Sequence, residues 1–146
     1  RGSKQRTLAL KEFNLGYKKT ALEAGEFIHS VLLPLPSNGQ QVFVEKVSKR
    51  AEDDISATCV AMSISIEQGQ ITQINIACGG MAATPKMARV TQSQLLGQTL
   101  TPELMAQVPT WLAQDYQPID DMRASAAYRQ QVTANLIQGF LMEAVA

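Results

Sequence analysis

Six charged side chains crowd the run Lys46-Val-Ser-Lys-Arg-Ala-Glu-Asp-Asp-Ile55: Lys46, Lys49 and Arg50, then Glu52, Asp53 and Asp54. Apolar, strand-like sequence flanks the run on both sides. Most runs of this kind are solvated loops. Lys46 differs from the rest because it falls where a strand should end, so a sheet can hold its ammonium over a ligand. A fixed ammonium stabilises negative charge that develops nearby, and the carboxylates of Glu52, Asp53 and Asp54 oppose it.

Other candidates carry less chemistry. His29 is the sole histidine, in or beside an apolar stretch, with no second ligand or activated nucleophile beside it in sequence. Gly79-Gly80 lacks the further glycine or lysine of a phosphate cradle and reads as a sharp turn at a strand end. Walker, GxGxxG, GxSxG and HExxH patterns are missing. Two cysteines are too few for a zinc site or an iron–sulfur cluster, and reduced cytoplasmic thiols are the default reading. Asp121, Arg123 and Arg129 gather at the start of the last helix, where an acid opposes the helix dipole favourably and pairs with arginine. That role is structural. No catalytic residue and no metal ligand is assigned.

The elements that must position these groups read as follows. Leu22 to Leu35 is expected to be a first strand, ending at Pro34 and Pro36. Gln41 to Val47 is a second. Ile55–Ile66 and Ile71–Cys78 alternate apolar and polar residues around a Glu67-Gln68-Gly69-Gln70 turn, as an antiparallel hairpin does. A tight two-residue turn would set Cys59 against Cys78 and mix the two faces. A three-residue loop aligns Met62 with Ile76 and Ile64 with Ile74, so the apolar pattern selects that register and sends the cysteines to opposite faces. A short helix is expected over Thr91–Leu96, another begins at Thr101-Pro102-Glu103, and Pro109 should break or kink the chain before Trp111. The last helix begins near Ser125 and places Tyr128, Val132, Leu136, Ile137, Phe140, Leu141 and Ala144 on one face. Strands first and helices afterwards give an α+β fold. The expected architecture is an antiparallel sheet of three to four strands, packed on one face by about three helices. Residues 1–12 read as a leader or linker, with Arg1-Gly2-Ser3 a tag remnant, and 13–146 as a single domain.

The 146 residues suffice for one cored domain. Thirteen basic residues balance thirteen acidic ones, which argues against a nucleic-acid partner. No apolar run approaches the ~20 residues of a membrane span. Only 18% of the chain is charged, a surface suited to a piece partly covered by another domain.

Taken with Gly16-Tyr17-Lys18-Lys19-Thr20-Ala21-Leu22, Cys78-Gly79-Gly80-Met81-Ala82 and Asp121-Met122-Arg123-Ala124-Ser125-Ala126-Ala127-Tyr128-Arg129, the charged run resembles the C-terminal lobe of the FAD-binding part of xanthine dehydrogenase and related molybdenum hydroxylases. The resemblance extends from about Phe13 to about Leu141, with the motifs in the family's order. It implies an electron-transfer lobe that closes over a flavin held mainly by a preceding FAD-binding lobe. Further partners would be an iron–sulfur domain carrying 2Fe-2S clusters and a molybdenum-cofactor subunit carrying molybdopterin, with NAD as acceptor.

By motif position, Lys46, Ile28 and Asp53 match flavin contacts. Lys49, Arg50, Glu52 and Asp54 match the loop beside the ring. An ammonium near the N1/O2 end of the ring favours the anionic reduced flavin. Ala51 stands where some members carry a second arginine, which makes the loop less positive. The Glu-Asp-Asp-Ile ending points to the xanthine branch and so to purine oxidation. The lobe alone is expected to be inactive. The rival expectation is a docking module between the flavoprotein and molybdenum subunits, with the charged loop as an interface rim.

Overall fold

The computed structural model describes residues 5–50 and 55–145. The chain divides into two compact units, Arg1–Leu35 and Pro36–Ala146.

In the first unit a single helical turn, α1 (Leu10–Phe13), leads into two short antiparallel strands, β1 (Asn14–Gly16) and β2 (Lys19–Thr20). Neither is among the elements expected from the sequence. The Arg6 guanidinium brackets the unit: it donates to Glu26 through Nε at 2.8 Å and Nη2 at 2.6 Å, and also to the Ala21 carbonyl. The strand expected over Leu22–Leu35 does not form; residues 26–37 have no regular secondary structure. A strand exists by pairing, and the backbone hydrogen bonds among the described residues include none from 27–36. Pro34 and Pro36 also lack an N–H to offer.

The second unit is an antiparallel sheet in the order β3 (Gln41–Val47), β4 (Thr58–Glu67), β5 (Gln70–Gly79) and β6 (Lys86–Met87). Four helical segments follow: α2 (Arg89–Leu95), the single turn α3 (Pro102–Met105), α4 (Val108–Asp115) and α5 (Ala126–Glu143). The α+β class with helices on one sheet face is as expected. On that face Val60, Met62, Ile64, Ile74, Ile76 and Cys78 of the hairpin meet Leu95, Val108, Leu112, Tyr116, Ile137 and Leu141, all buried. At the sheet edge Phe43 stacks on Phe140 with ring centroids 5.3 Å apart.

The hairpin register is the one the apolar pattern selects: Met62 lies opposite Ile76 and Ile64 opposite Ile74. The device that sets it differs from the expected three-residue loop. Gln68 (φ 51°) and Gly69 (φ 80°) make a two-residue turn with both φ positive, and the register then shifts beyond Ile66. Ser65 faces Gln73 and Ile66 faces Ile71, so Thr72 is the extra residue of a bulge. The bulge lets Ile71 and Ile74, three apart, both face the core.

Pro109 occupies the first turn of α4, where its missing N–H costs nothing, and the break falls earlier, at Ala106-Gln107. Along α5 the buried face is rotated from expectation in its first half. Arg129 and Thr133 are buried, Tyr128 is exposed, and Val132 is half-buried. Polar partners inside the fold account for this, as the site geometry shows. Among the described residues no helix is long and apolar enough to cross a membrane.

Candidate functional site

Directly opposite residues of an antiparallel pair share a face. Lys46 pairs with Cys59, which pairs with Gly79; Val44 pairs with Ala61, which pairs with Ala77. These rows lie on the sheet face away from the helices. The row at the strand end therefore descends from a long exposed cation to a small thiol to a bare backbone. A Cβ added at Gly79 would meet nothing nearer than the Cys59 Cβ at 3.8 Å. A surface this low admits a planar group close to the backbone, with the Lys46 ammonium at its edge.

The loop that leaves β3 is tied at both ends. Ser48 Oγ donates to the Arg50 carbonyl at 2.7 Å, and Lys49 Nζ donates to the Met122 carbonyl at 2.7 Å. At the return, Ala57 N–H donates to the Val47 carbonyl at 2.7 Å and extends the ladder. Glu52, Asp53 and Asp54 lie outside the described residues. Ile28 belongs to the first unit, where it is exposed and in no strand.

Beneath the loop's return sits Arg129, only 3% exposed. Its guanidinium donates to the Ala57 carbonyl, to the Gly80 carbonyl at 2.9 Å and to Asp121 Oδ1 at 2.6 Å. One side chain thus joins the start of β4, the turn after β5 and the segment before α5. Asp121 also accepts the N–H groups of Arg123 at 2.8 Å and Ala124 at 3.1 Å. The Arg123 backbone bond first, then those of Ala124 and Arg129, hold its carboxyl down to about 2. One turn along α5, Thr133 shares a buried 2.8 Å hydrogen bond with Thr58. Burial pushes the Cys78 thiol up to about 11, so it is an unreactive core thiol facing away from Cys59.

Among the described residues no group of three or more His, Cys, Asp or Glu side chains could hold a metal. His29 is exposed, its Nδ1 3.4 Å from Ser30 Oγ. The sequence singles out Lys46 and leaves unmarked the step that Cys59 and Gly79 form beside it. That step becomes visible only once the pairing register is known.

Fold and site together define a one-sided α+β sheet that offers a cation beside a low platform at one strand end. Residues 44–144 match the CO dehydrogenase flavoprotein C-terminal domain family, and the chain belongs to that family. It is 31% identical over 145 residues to a nicotinate hydroxylase of Emericella nidulans, covering 94% of this chain and 11% of that protein. It is also 31% identical over 100 residues to the xanthine dehydrogenase of the same organism, covering 67% of this chain and 7% of the relative. A solved Cu,Mo-CO dehydrogenase chain superposes with a TM-score of 0.81 at 22% identity, over 91% of this chain and 46% of that one. The chain thus spans about a tenth of those curated relatives and under half of the solved chain.

Proposed function

We propose that this chain is the C-terminal lobe of the FAD-containing electron-transfer part of a xanthine dehydrogenase-like molybdenum hydroxylase. In that role it closes over a flavin that takes electrons from 2Fe-2S clusters and passes them to NAD, in the cytoplasm, during purine oxidation at a molybdopterin centre. The observation that carries the reading is the strand-end step of Lys46, Cys59 and Gly79 in a member of a flavoprotein domain family. A planar ring with a polar edge fits this step. A diphosphate does not: Gly79-Gly80 runs into bends and then β6, not into a helix N-terminus, so the diphosphate is assigned to the preceding lobe.

FAD bound there would supply the redox chemistry. Lys46 would set the charge at the ring edge, Ile28 would pack on the ring, and Asp53 would lie nearest it from the loop. Lys49, Arg50, Glu52 and Asp54 would border the acceptor's approach. The lobe is inactive alone in this reading.

Titration of FAD, followed by flavin fluorescence, tests it on this chain and on the full-length protein that carries it. Binding by the longer protein that is weakened by Lys46→Ala supports the reading. A longer protein that ignores FAD sinks it, and leaves docking between the flavoprotein and molybdenum subunits as the role to pursue.

A further inference from the structure

The step of Lys46, Cys59 and Gly79 lies at the open end of the β4–β5 ladder. Cys59 opposite Gly79 is the last pair of that register, at the end away from the Gln68-Gly69 turn. Terminal pairs open most readily, because a neighbouring pair supports them on one side only. Here α5 supplies the missing support. Arg129 donates to the Ala57 carbonyl and to the Gly80 carbonyl at 2.9 Å. Four residues on, Thr133 Oγ1 shares a 2.8 Å hydrogen bond with Thr58 and lies 3.3 Å from Met81 Sδ. Two side chains on one face of a helix thus hold residues 57, 58, 80 and 81, which flank the Cys59–Gly79 pair.

From this geometry we infer that Arg129 is a positioning residue for the flavin platform. Its guanidinium sets the level of the Cys59–Gly79 floor against Lys46, and so how closely a planar ring approaches. The role presupposes the flavin reading proposed above. Level matters because contact energy falls steeply with distance: a gap of about 0.5–1 Å forfeits roughly a quarter to a half of the dispersion attraction. The spacing held here has no slack. A Cβ at Gly80 would stand 2.6 Å from the Ala57 carbonyl oxygen, so the two strand ends approach as closely as bare backbone permits.

The residue types fit a geometric role. Arg129 reaches acceptors in three separate chain segments, the third being Asp121 Oδ1 at 2.6 Å. A planar fork can serve all three at once, whereas a lysine ammonium is a compact point charge. Asp121 balances the charge of Arg129, so the pair contributes position more than net field. Asp121 is itself fixed by the N–H groups of Arg123 and Ala124. The next residue, Met122, takes Lys49 Nζ on its carbonyl at 2.7 Å, so the loop that leaves β3 is tied to the same segment. Floor, loop and helix are therefore held as one assembly.

FAD titration of the full-length protein, followed by flavin fluorescence and visible circular dichroism, tests the role. Arg129→Lys should weaken FAD binding about tenfold and alter the dichroism of the bound ring. Lys46→Ala should weaken binding in the otherwise unaltered protein and have a smaller effect in the Arg129→Lys background, since a displaced floor no longer sets the ring against the ammonium. Thr133→Val removes one hold and keeps the guanidinium; it should act in the same direction, and it carries the test if Arg129→Lys does not fold. Asp115→Asn weakens a different junction, between α2 and α4, and should leave affinity and dichroism unchanged. Unaltered affinity and dichroism in the Arg129 or Thr133 variant, with Lys46→Ala still weakening binding, overturns the positioning role alone. Fully additive effects of the Lys46 and Arg129 substitutions overturn it too, as does an equal loss of FAD from Asp115→Asn, which would reduce the effect to general stability. A full-length protein that binds no FAD overturns the flavin reading first and the positioning role with it.

Discussion

Two residues at the junction beneath the loop have no tolerance built around them. Gly80 holds φ at +78°, and a Cβ there would stand 2.6 Å from the Ala57 carbonyl oxygen and 3.2 Å from Arg129 Nη1. The first neighbour is backbone and cannot swing aside. Gly80→Ala should therefore cost about 3 kcal/mol, left-handed strain plus loss of the Arg129 hydrogen bonds, seen as a lower urea midpoint. Gly97 has the same φ with open space around it, so Gly97→Ala should cost only about 1 kcal/mol.

Asp121 gives a pH signature at the same junction. Its folded-state carboxyl is depressed to about 2 from an ordinary 3.8, so its contribution is fully present above pH 4 and is lost as pH falls through 2. The gap in urea midpoint between the protein and Asp121→Asn should be widest near pH 5 and narrow steadily by pH 2.5. A constant gap would mean that the amide loses packing and not charge.

At the scale of elements, the buried carboxylate of Asp115 joins two helices. It ends α4 and accepts from Val90 N–H at 2.8 Å, Thr91 N–H at 2.9 Å and the Thr91 hydroxyl at 2.8 Å. These are the second and third residues of α2, whose own N-cap position holds Ala88 and supplies no side-chain bond. Asp115→Ala would strand buried donors and should cost about 3 kcal/mol by thermal or urea unfolding, with Asp115→Asn recovering part of it. The sequence pattern started this helix at Thr91 because nothing local marks an earlier start; the cap comes from 24 residues away.

The hairpin teaches the complementary lesson. Its register was legible because only one alignment keeps isoleucine and methionine on one face. The bulge was also written in the sequence, as the spacing of three between Ile71 and Ile74, which strict alternation cannot satisfy. The strand expected over Leu22–Leu35 does not form for a different reason. Its pattern is strand-like, but pairing is a property of two segments, and no described segment pairs with it. Arginine and threonine ordinarily sit on a polar helix face, whereas the carbonyls of Ala57 and Gly80 and the Thr58 hydroxyl turn Arg129 and Thr133 inward.

At the scale of the whole molecule, the charge is balanced, residues 5–35 include no buried side chain, and helices cover one face of the sheet. Under the proposed function, its chemistry depends on what one strand end presents to a ligand held by another part of the protein. Lys46 and Lys49 separate the contributions. Lys46 stands in the strand-end row with Cys59 and Gly79, and the Lys49 ammonium donates to the Met122 carbonyl, 73 residues away.

If Lys46 sets the charge at the ring edge, then in the full-length flavoprotein Lys46→Ala should lower the two-electron midpoint potential by about 30 mV, the equivalent of about 1.4 kcal/mol of lost stabilisation of the reduced anion. Lys46→Arg should keep the potential. Lys49→Ala should move it less than Lys46→Ala and should instead loosen the segment around Met122, read as faster amide exchange there. Equal shifts from the two alanine variants would point to a diffuse loop field, and no shift from Lys46→Ala would remove the strand end from the flavin site. Raising ionic strength separates a fixed short-range ammonium from a screened surface charge, because only the latter loses its effect over a Debye length of about 8 Å at physiological salt. The Lys46 shift should persist at high salt.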